Sequence, residues 1–281
     1  MKSFCMRYPG GKDRAMTFSY DDGTVHDLKL TEMMKQYGVK ATLNLNSVCL
    51  QEKDGEQKHH LNFDEVRALA DDPQFEIACH GQTHPYYNLL PSPVILNDIL
   101  ADRVALENIT GKITCGFAYP YGTHNETSQL ALQQAGIVYA RVTAPVQDFS
   151  LPENWLVWHP TCHHRAAPEL YDAFAKKQVL AQNAILLYVW GHSYEFSARY
   201  NDNWDLMEGL LERCTKNPDI WFATNMEIYE YVSAFRSLIF SADGSMVRNP
   251  SGLKLWAEVN GHHARAGEIV ELPAGQTVVL K

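Results

Sequence analysis

Ala15-Met16-Thr17-Phe18-Ser19-Tyr20-Asp21-Asp22-Gly23 opens with six residues suited to a buried strand and stops at an acidic pair and a glycine. The residues beyond it repeat that grammar. Leu28 to Tyr37 has helical apolar spacing and ends at Gly38, a helix stop. Val39 to Leu45 reads as a strand, and Phe63 to Ala70 as a helix capped by Asn62. Phe75 to Cys79 is a strand ending at His80. Helical patterns cover Ser92 to about Asn108, Asn125 to Gln134, Pro168 to Leu180, Trp204 to Cys214 and Met226 to Phe235. Strand patterns at Thr114–Ala118, Val138–Val142, Ile185–Trp190 and Trp221–Ala223 lie between them. Repeated β-then-α order predicts a parallel sheet with helices outside, open or closed into a barrel.

Composition narrows the class. Of 281 residues, 46% are hydrophobic and 20% charged, an ordinary globular balance. No apolar run is long enough for a membrane span, and the first residues lack the apolar middle of a signal peptide. A net charge of −9 argues against nucleic acid as a partner. The six cysteines form no Cys-x-x-Cys pair and read as reduced thiols, so a cytoplasmic location is expected. Beyond Ser237, short strand-like runs alternate with Asp243-Gly244, Asn249-Pro250, Asn260-Gly261 and Pro273-Ala274-Gly275. Two parts are therefore expected: an α/β body over 1–237 and a small β appendage over 238–281, docked on it.

In α/β proteins, chemistry collects where parallel strands end. Here those ends carry Asp21-Asp22-Gly23, His80-Gly81-Gln82-Thr83-His84, Tyr119-Pro120-Tyr121-Gly122 and Gly191-His192. Adjacent carboxylates repel unless a cation or shared proton separates their roles. His80 and His84 have a spacing that suits a tetrahedral metal, and with Asp22 they leave positions open for water and substrate. The same donor set suits iron(II), so it does not name the metal. A second His-x-x-x-His, His159 to His163, contains Pro160 and reads as a rim or substrate contact at His163. Glu195 follows His192 by three residues and could orient it. Tyr119 and Trp158 could meet a substrate, Trp158 as an apolar wall for a sugar face.

Taken in order, these motifs resemble the polysaccharide deacetylases of the NodB-homology type, carbohydrate esterase family four. Gly38-Val39-Lys40-Ala41-Thr42 also looks like that family's second strand. The resemblance covers about residues 15–237. It implies a distorted parallel (β/α) barrel with a divalent metal at its rim, most often zinc, with cobalt, nickel or iron as alternatives. It implies Asp21 as general base, Asp22, His80 and His84 as metal ligands, the Tyr121 N–H as oxyanion donor and His192 as general acid. The expected reaction is removal of an N-acetyl or O-acetyl group from an amino sugar or acetylated carbohydrate. Alternatives are hydrolysis of another amide on a small molecule, an iron(II) oxygenase, and a catalytically impaired carbohydrate-binding relative. Four positions depart from the family pattern: Ser19-Tyr20 replaces Thr-Phe, Gly81 replaces Ser or Thr, and Ala118 replaces an Arg that helps hold the base. The Asp that supports the general acid has no clear counterpart, Asp148 being the candidate.

Overall fold

The computed structural model describes residues 3–53, 58–197, 199, 203–262 and 265–280. A short N-terminal strand, β1 (Phe4–Arg7), precedes the alternating part. That part runs β2 (Arg14–Asp21), α1 (His26–Tyr37), β3 (Ala41–Leu45), α2 (Phe63–Asp71), β4 (Phe75–Cys79), α3 (Ser92–Thr110) and β5 (Gly116–Ala118). It continues α4 (Glu126–Gln134), β6 (Tyr139–Arg141), β7 (Cys162–His163), α5 (Ala167–Lys176), β8 (Ile185–Gly191), α6 (Trp204–Thr215), β9 (Ile220–Phe222) and α7 (Asn225–Arg236). The last strands are β10 (Ile239–Phe240), β11 (Met246–Arg248), β12 (Leu255–Val259), β13 (Glu268–Leu272) and β14 (Thr277–Val279).

The helix starts follow local rules. Asn62 with Glu65, Asn125 with Ser128 and Thr224 with Glu227 form reciprocal caps at α2, α4 and α7. The expected helix reaching Leu180 stops at Lys176. Strands β1 and β7, four and two residues long, are too short for a period to show in sequence.

The parallel strands lie in the order β6-β5-β4-β3-β2-β8-β7, with β9 beside the start of β2. Trp158 and Thr161 join the two sides of this sheet. The Trp158 N–H donates to the Ala140 carbonyl at 2.8 Å, and Thr161 N–H donates to the Tyr188 carbonyl at 2.9 Å. Residues 158–163 thus run from the β6 edge to the β8 edge, and the sheet curls into a distorted (β/α) barrel. Periodicity left open sheet and barrel equally possible; this crossing segment is what separates them.

Side chains alternate across each strand. Met16, Phe18 and Tyr20 of β2 and Leu187 and Val189 of β8 join the main apolar core under the helices. The intervening Thr17 and Ser19 meet Asn225 at the start of α7. Thr17 Oγ1 donates to Asn225 Oδ1 at 2.9 Å, and Asn225 Nδ2 donates to Tyr188 Oη at 2.7 Å and Ser19 Oγ at 3.3 Å. The partly buried Glu76 carboxylate accepts from Met226 N–H, Thr42 Oγ1 and Tyr139 Oη at 2.6–2.9 Å. The first turn of α7 therefore fills the ring with satisfied polar contacts, and a carboxylate meets the positive end of the helix.

Two three-stranded sheets, β1-β12-β13 and β10-β11-β14, take up the C-terminal residues. Phe4 to Arg7 pair antiparallel with Val259 to Trp256, so one of these sheets contains strands from both ends of the chain. Tyr231 of α7 donates to the Arg7 carbonyl at 2.6 Å and accepts from Trp256 N–H at 3.0 Å. Met6, Tyr231, Val232, Val247, Leu255 and Ala257 share a second apolar cluster. All six cysteines are free. Among the described residues, no helix is long and apolar enough to cross a membrane.

Candidate active site

The rim is built on unusual backbone. Asp22, His84 and Tyr121 are non-glycine residues with φ of 80°, 53° and 58°. Left-handed conformations in such residues cost on the order of 1–3 kcal/mol each and gather at functional sites. Gly81 also has positive φ, and a Cβ there would collide with the Tyr87 hydroxyl. That hydroxyl donates to Asp98 Oδ2 at 2.6 Å, and Asp98 Oδ1 accepts from Thr83 N–H and Oγ1. Tyr87 and Asp98 thus occupy and brace the place of a side chain at 81. The neighbouring backbone is clamped as well. Asn46 Nδ2 donates to both the His80 and Gly81 carbonyls at 2.7 Å, and Asp102 accepts from His80 N–H and Ser47 N–H.

These constraints bring Asp22, His80 and His84 together. Asp22 Oδ1 lies 3.6 Å from the Nε2 atom of each histidine. Donors bound at about 2.0–2.2 Å around a tetrahedral ion lie about 3.3–3.6 Å apart, so the spacing fits one cation. The His80 Nδ1 sits 2.8 Å from the Ala118 carbonyl, which can only accept. Nδ1 therefore carries the proton, and the Nε2 lone pair faces Asp22. Burial holds His80 below its ordinary pKa, which favours that neutral form.

Asp21 is buried beside this group, its Oδ2 3.9 Å from His80 Nε2. Both its oxygens contact Nη2 of Arg141, and Asn44 Nδ2 donates to Oδ1 at 2.8 Å. Burial works to raise the carboxyl, but Arg141, His80 and His192 outweigh it and hold Asp21 below the usual carboxylate range. Arg141 lies on β6 directly across from Ala118 of β5 in the ladder. A guanidinium thus reaches Asp21 from the strand next to the one where the sequence lacks it. Arg141 went unread in the sequence. The available signal was a lone charge between Ala140 and Val142, inside a strand flanked by apolar residues.

His192 closes the rim, with Nε2 3.9 Å from Asp22 Oδ2. Its Nδ1 faces Glu195 Oε1 at 3.6 Å. Burial would lower His192, but Glu195, Asp21 and Asp22 leave it above its ordinary value. Asp148 is not the supporting acid. It caps Ser150 next to Phe149, whose carbonyl accepts from Leu186 N–H near the start of β8, whereas His192 follows its end. Tyr121 is half exposed and stacks on Tyr86 at 4.0 Å, with His84 edge-on at 4.5 Å.

Two expected substrate contacts need correction. Tyr119 and Trp158 are each 1% exposed, packed among Tyr87, Phe117 and His124 and among Tyr139, Trp155 and Tyr188. Both are core residues, out of a substrate's reach. His163 lies beside Glu195 at 2.8 Å, whereas His159 turns to the Ala144 carbonyl.

The polysaccharide deacetylase family model matches residues 9–140. That stretch, just under half of the chain, is similar to the polysaccharide deacetylases. No curated protein matches it. Among solved structures, a Mycobacterium smegmatis protein named as a candidate polysaccharide deacetylase is 16% identical. That alignment covers 83% of this chain and 94% of that one, with a TM-score of 0.59. A carbohydrate esterase family four pseudoenzyme from Bacillus anthracis is 15% identical over 80% of this chain and 68% of that one, with a TM-score of 0.52. The Streptococcus pyogenes deacetylase PplD, solved with acetate, is 17% identical, covering 50% of this chain and 61% of that chain, with a TM-score of 0.45. The chain thus spans less than two thirds of the streptococcal protein, and at these identities the likenesses are of fold. Two of the positions where the sequence departs from the pattern it resembles, 81 and 118, are both filled from elsewhere, by Tyr87 with Asp98 and by Arg141.

Proposed function

We propose that this protein is a metal-dependent deacetylase that removes an acetyl group from an amino sugar or other acetylated carbohydrate. The observation that carries this reading is the ionised, Arg141-held Asp21 beside the Asp22–His80–His84 donor set. A divalent ion there, zinc foremost, would supply Lewis acidity toward an acyl oxygen and toward water. Asp21 takes a proton from the attacking water, with Arg141 and Asn44 fixing the direction of its carboxylate. The Tyr121 N–H serves the developing oxyanion, its strained φ setting the orientation of that group. His192, raised above its ordinary value by Glu195 facing its Nδ1, protonates the leaving nitrogen from Nε2. An amide needs that proton more than an ester does, so N-deacetylation is the favoured reaction.

The direct test is His84→Ala. Elemental analysis should find the rim ion gone, and acetate release from N-acetylated amino-sugar oligomers should fall by at least about 10²-fold. An unchanged ion content with full turnover rejects the reading. Turnover of small N-acyl amides in place of the oligomers keeps the chemistry and moves the substrate class.

Glu195→Gln tests the acid. The carboxylate raises His192, so its loss lets His192 deprotonate at lower pH. The alkaline limb of the kcat profile should move toward acid, and kcat near neutrality should fall roughly tenfold, part of the 10²–10⁴ that a general acid supplies. A profile superimposable on the parent's removes Glu195 from this role.

A further inference from the structure

One cluster beside the rim is only partly used by that mechanism, which takes Glu195 but neither His163 nor His164. His163 and His164 follow β7, and Glu195 lies in the turn after β8. Glu195 Oε2 is 2.8 Å from His163 Nε2 and 3.3 Å from His164 Nε2. All three donor atoms lie within 4.8 Å of one another. We propose that His163, His164 and Glu195 form a second divalent-cation site, separate from the Asp22–His80–His84 set. Its chemistry is two imidazoles and one carboxylate, which selects borderline ions such as zinc, cobalt or nickel over calcium or magnesium.

The placement is specific. His164 is 1% exposed, stacked on Phe196 at 4.3 Å and aligned with Tyr20. It fits only because residue 191 is glycine; a Cβ there would strike the His164 ring at Nδ1. The ring is thus fixed with Nε2 toward Glu195. Despite the short separations, Glu195 Oε2 receives no well-directed hydrogen bond, and His164 Nδ1 has no partner either. His163 Nδ1 accepts from Arg165 N–H at 3.4 Å, so the proton of a neutral His163 ring sits on Nε2, toward Glu195 Oε2, and is released when an ion takes its place. The three donor atoms converge on one shared region. Arg165 contacts the other oxygen, Oε1, at 3.5 Å and is mostly exposed, so it leaves Oε2 open. The 2.8 Å pair would open by about half an ångström to reach the spacing of a tetrahedral ion.

The test counts ions on the full chain. Metal-stripped protein is dialysed against excess zinc, then against a metal-free buffer of low zinc-binding capacity, and analysed for zinc per chain. Two ions per chain are expected for the parent, and one each for Glu195→Gln, His163→Ala and His84→Ala. The Glu195→Gln/His84→Ala double variant should hold none. His163 is partly exposed, so its variant remains informative if Glu195→Gln fails to fold by circular dichroism. A parent that saturates at one ion, lost with His84→Ala and kept with Glu195→Gln, overturns this site and leaves the rim site standing. A single ion lost with Glu195→Gln and kept with His84→Ala does the reverse: it supports the present site and sinks the deacetylase reading.

Discussion

Asp21→Asn should keep its rim ion and hydrolyse an N-acetylated amino sugar at least about 10²-fold more slowly than the parent, the scale of general-base assistance. The substitution is isosteric. The new amide oxygen could still accept from Asn44, and Asp22, His80 and His84 are untouched. What disappears is the basic oxygen, along with the negative partner of a buried guanidinium. The variant should also be less stable, because breaking a buried pair from one side costs about 3–5 kcal/mol. Rates are therefore best compared well below its melting temperature, with ion content measured on the same sample. Parental rates in a fully metallated Asp21→Asn protein would take the base role away from Asp21.

Arg141→Ala should have the largest effect on stability, again about 3–5 kcal/mol by denaturant titration, because a buried carboxylate loses its counter-ion. Its effect on catalysis has a separate cause. With the guanidinium gone, burial is less opposed, so Asp21 moves up and is less often ionised near neutral pH. The acid limb of the rate profile should shift to higher pH. A structural role alone would lower stability without moving that limb. Adding Ala118→Arg to this variant returns a guanidinium to the ladder partner of position 141 and should recover part of the rate. A limb that stays in place in Arg141→Ala refutes the idea that this arginine tunes the base.

Much of the architecture could be read from the chain because each β-then-α unit carries its own local marks: Gly38 after α1, Asn62 before α2 and the turn after β2. Ring closure could not, because it rests on backbone bonds from Trp158 and Thr161, which any residue but proline can donate. At the rim, the strand-end rule collected Asp21, Asp22, His80, His84, Tyr121 and His192. It had no means of finding Arg141, whose side chain works from β6, a strand not adjacent to β2 and 120 residues along the chain from Asp21. Aromatic character misled at Tyr119 and Trp158, since a ring suited to a sugar face is equally suited to a core. Residue type does not encode which of the two surrounds it.

The pairing of β1 with β12 bears on how the molecule is made. Residues 4–7 leave the ribosome about 250 residues ahead of their ladder partner, residues 256–259. Until that partner emerges, β1 presents unpaired backbone and the apolar side chain of Met6. Strands β3 to β6 can assemble as they are synthesised, each beside the strand made just before it, but the β1–β12 seam must wait for the distal strand. The nascent chain therefore carries an open β-edge until that strand emerges, and a holding chaperone, or a stop placed before residue 255, would act on that edge.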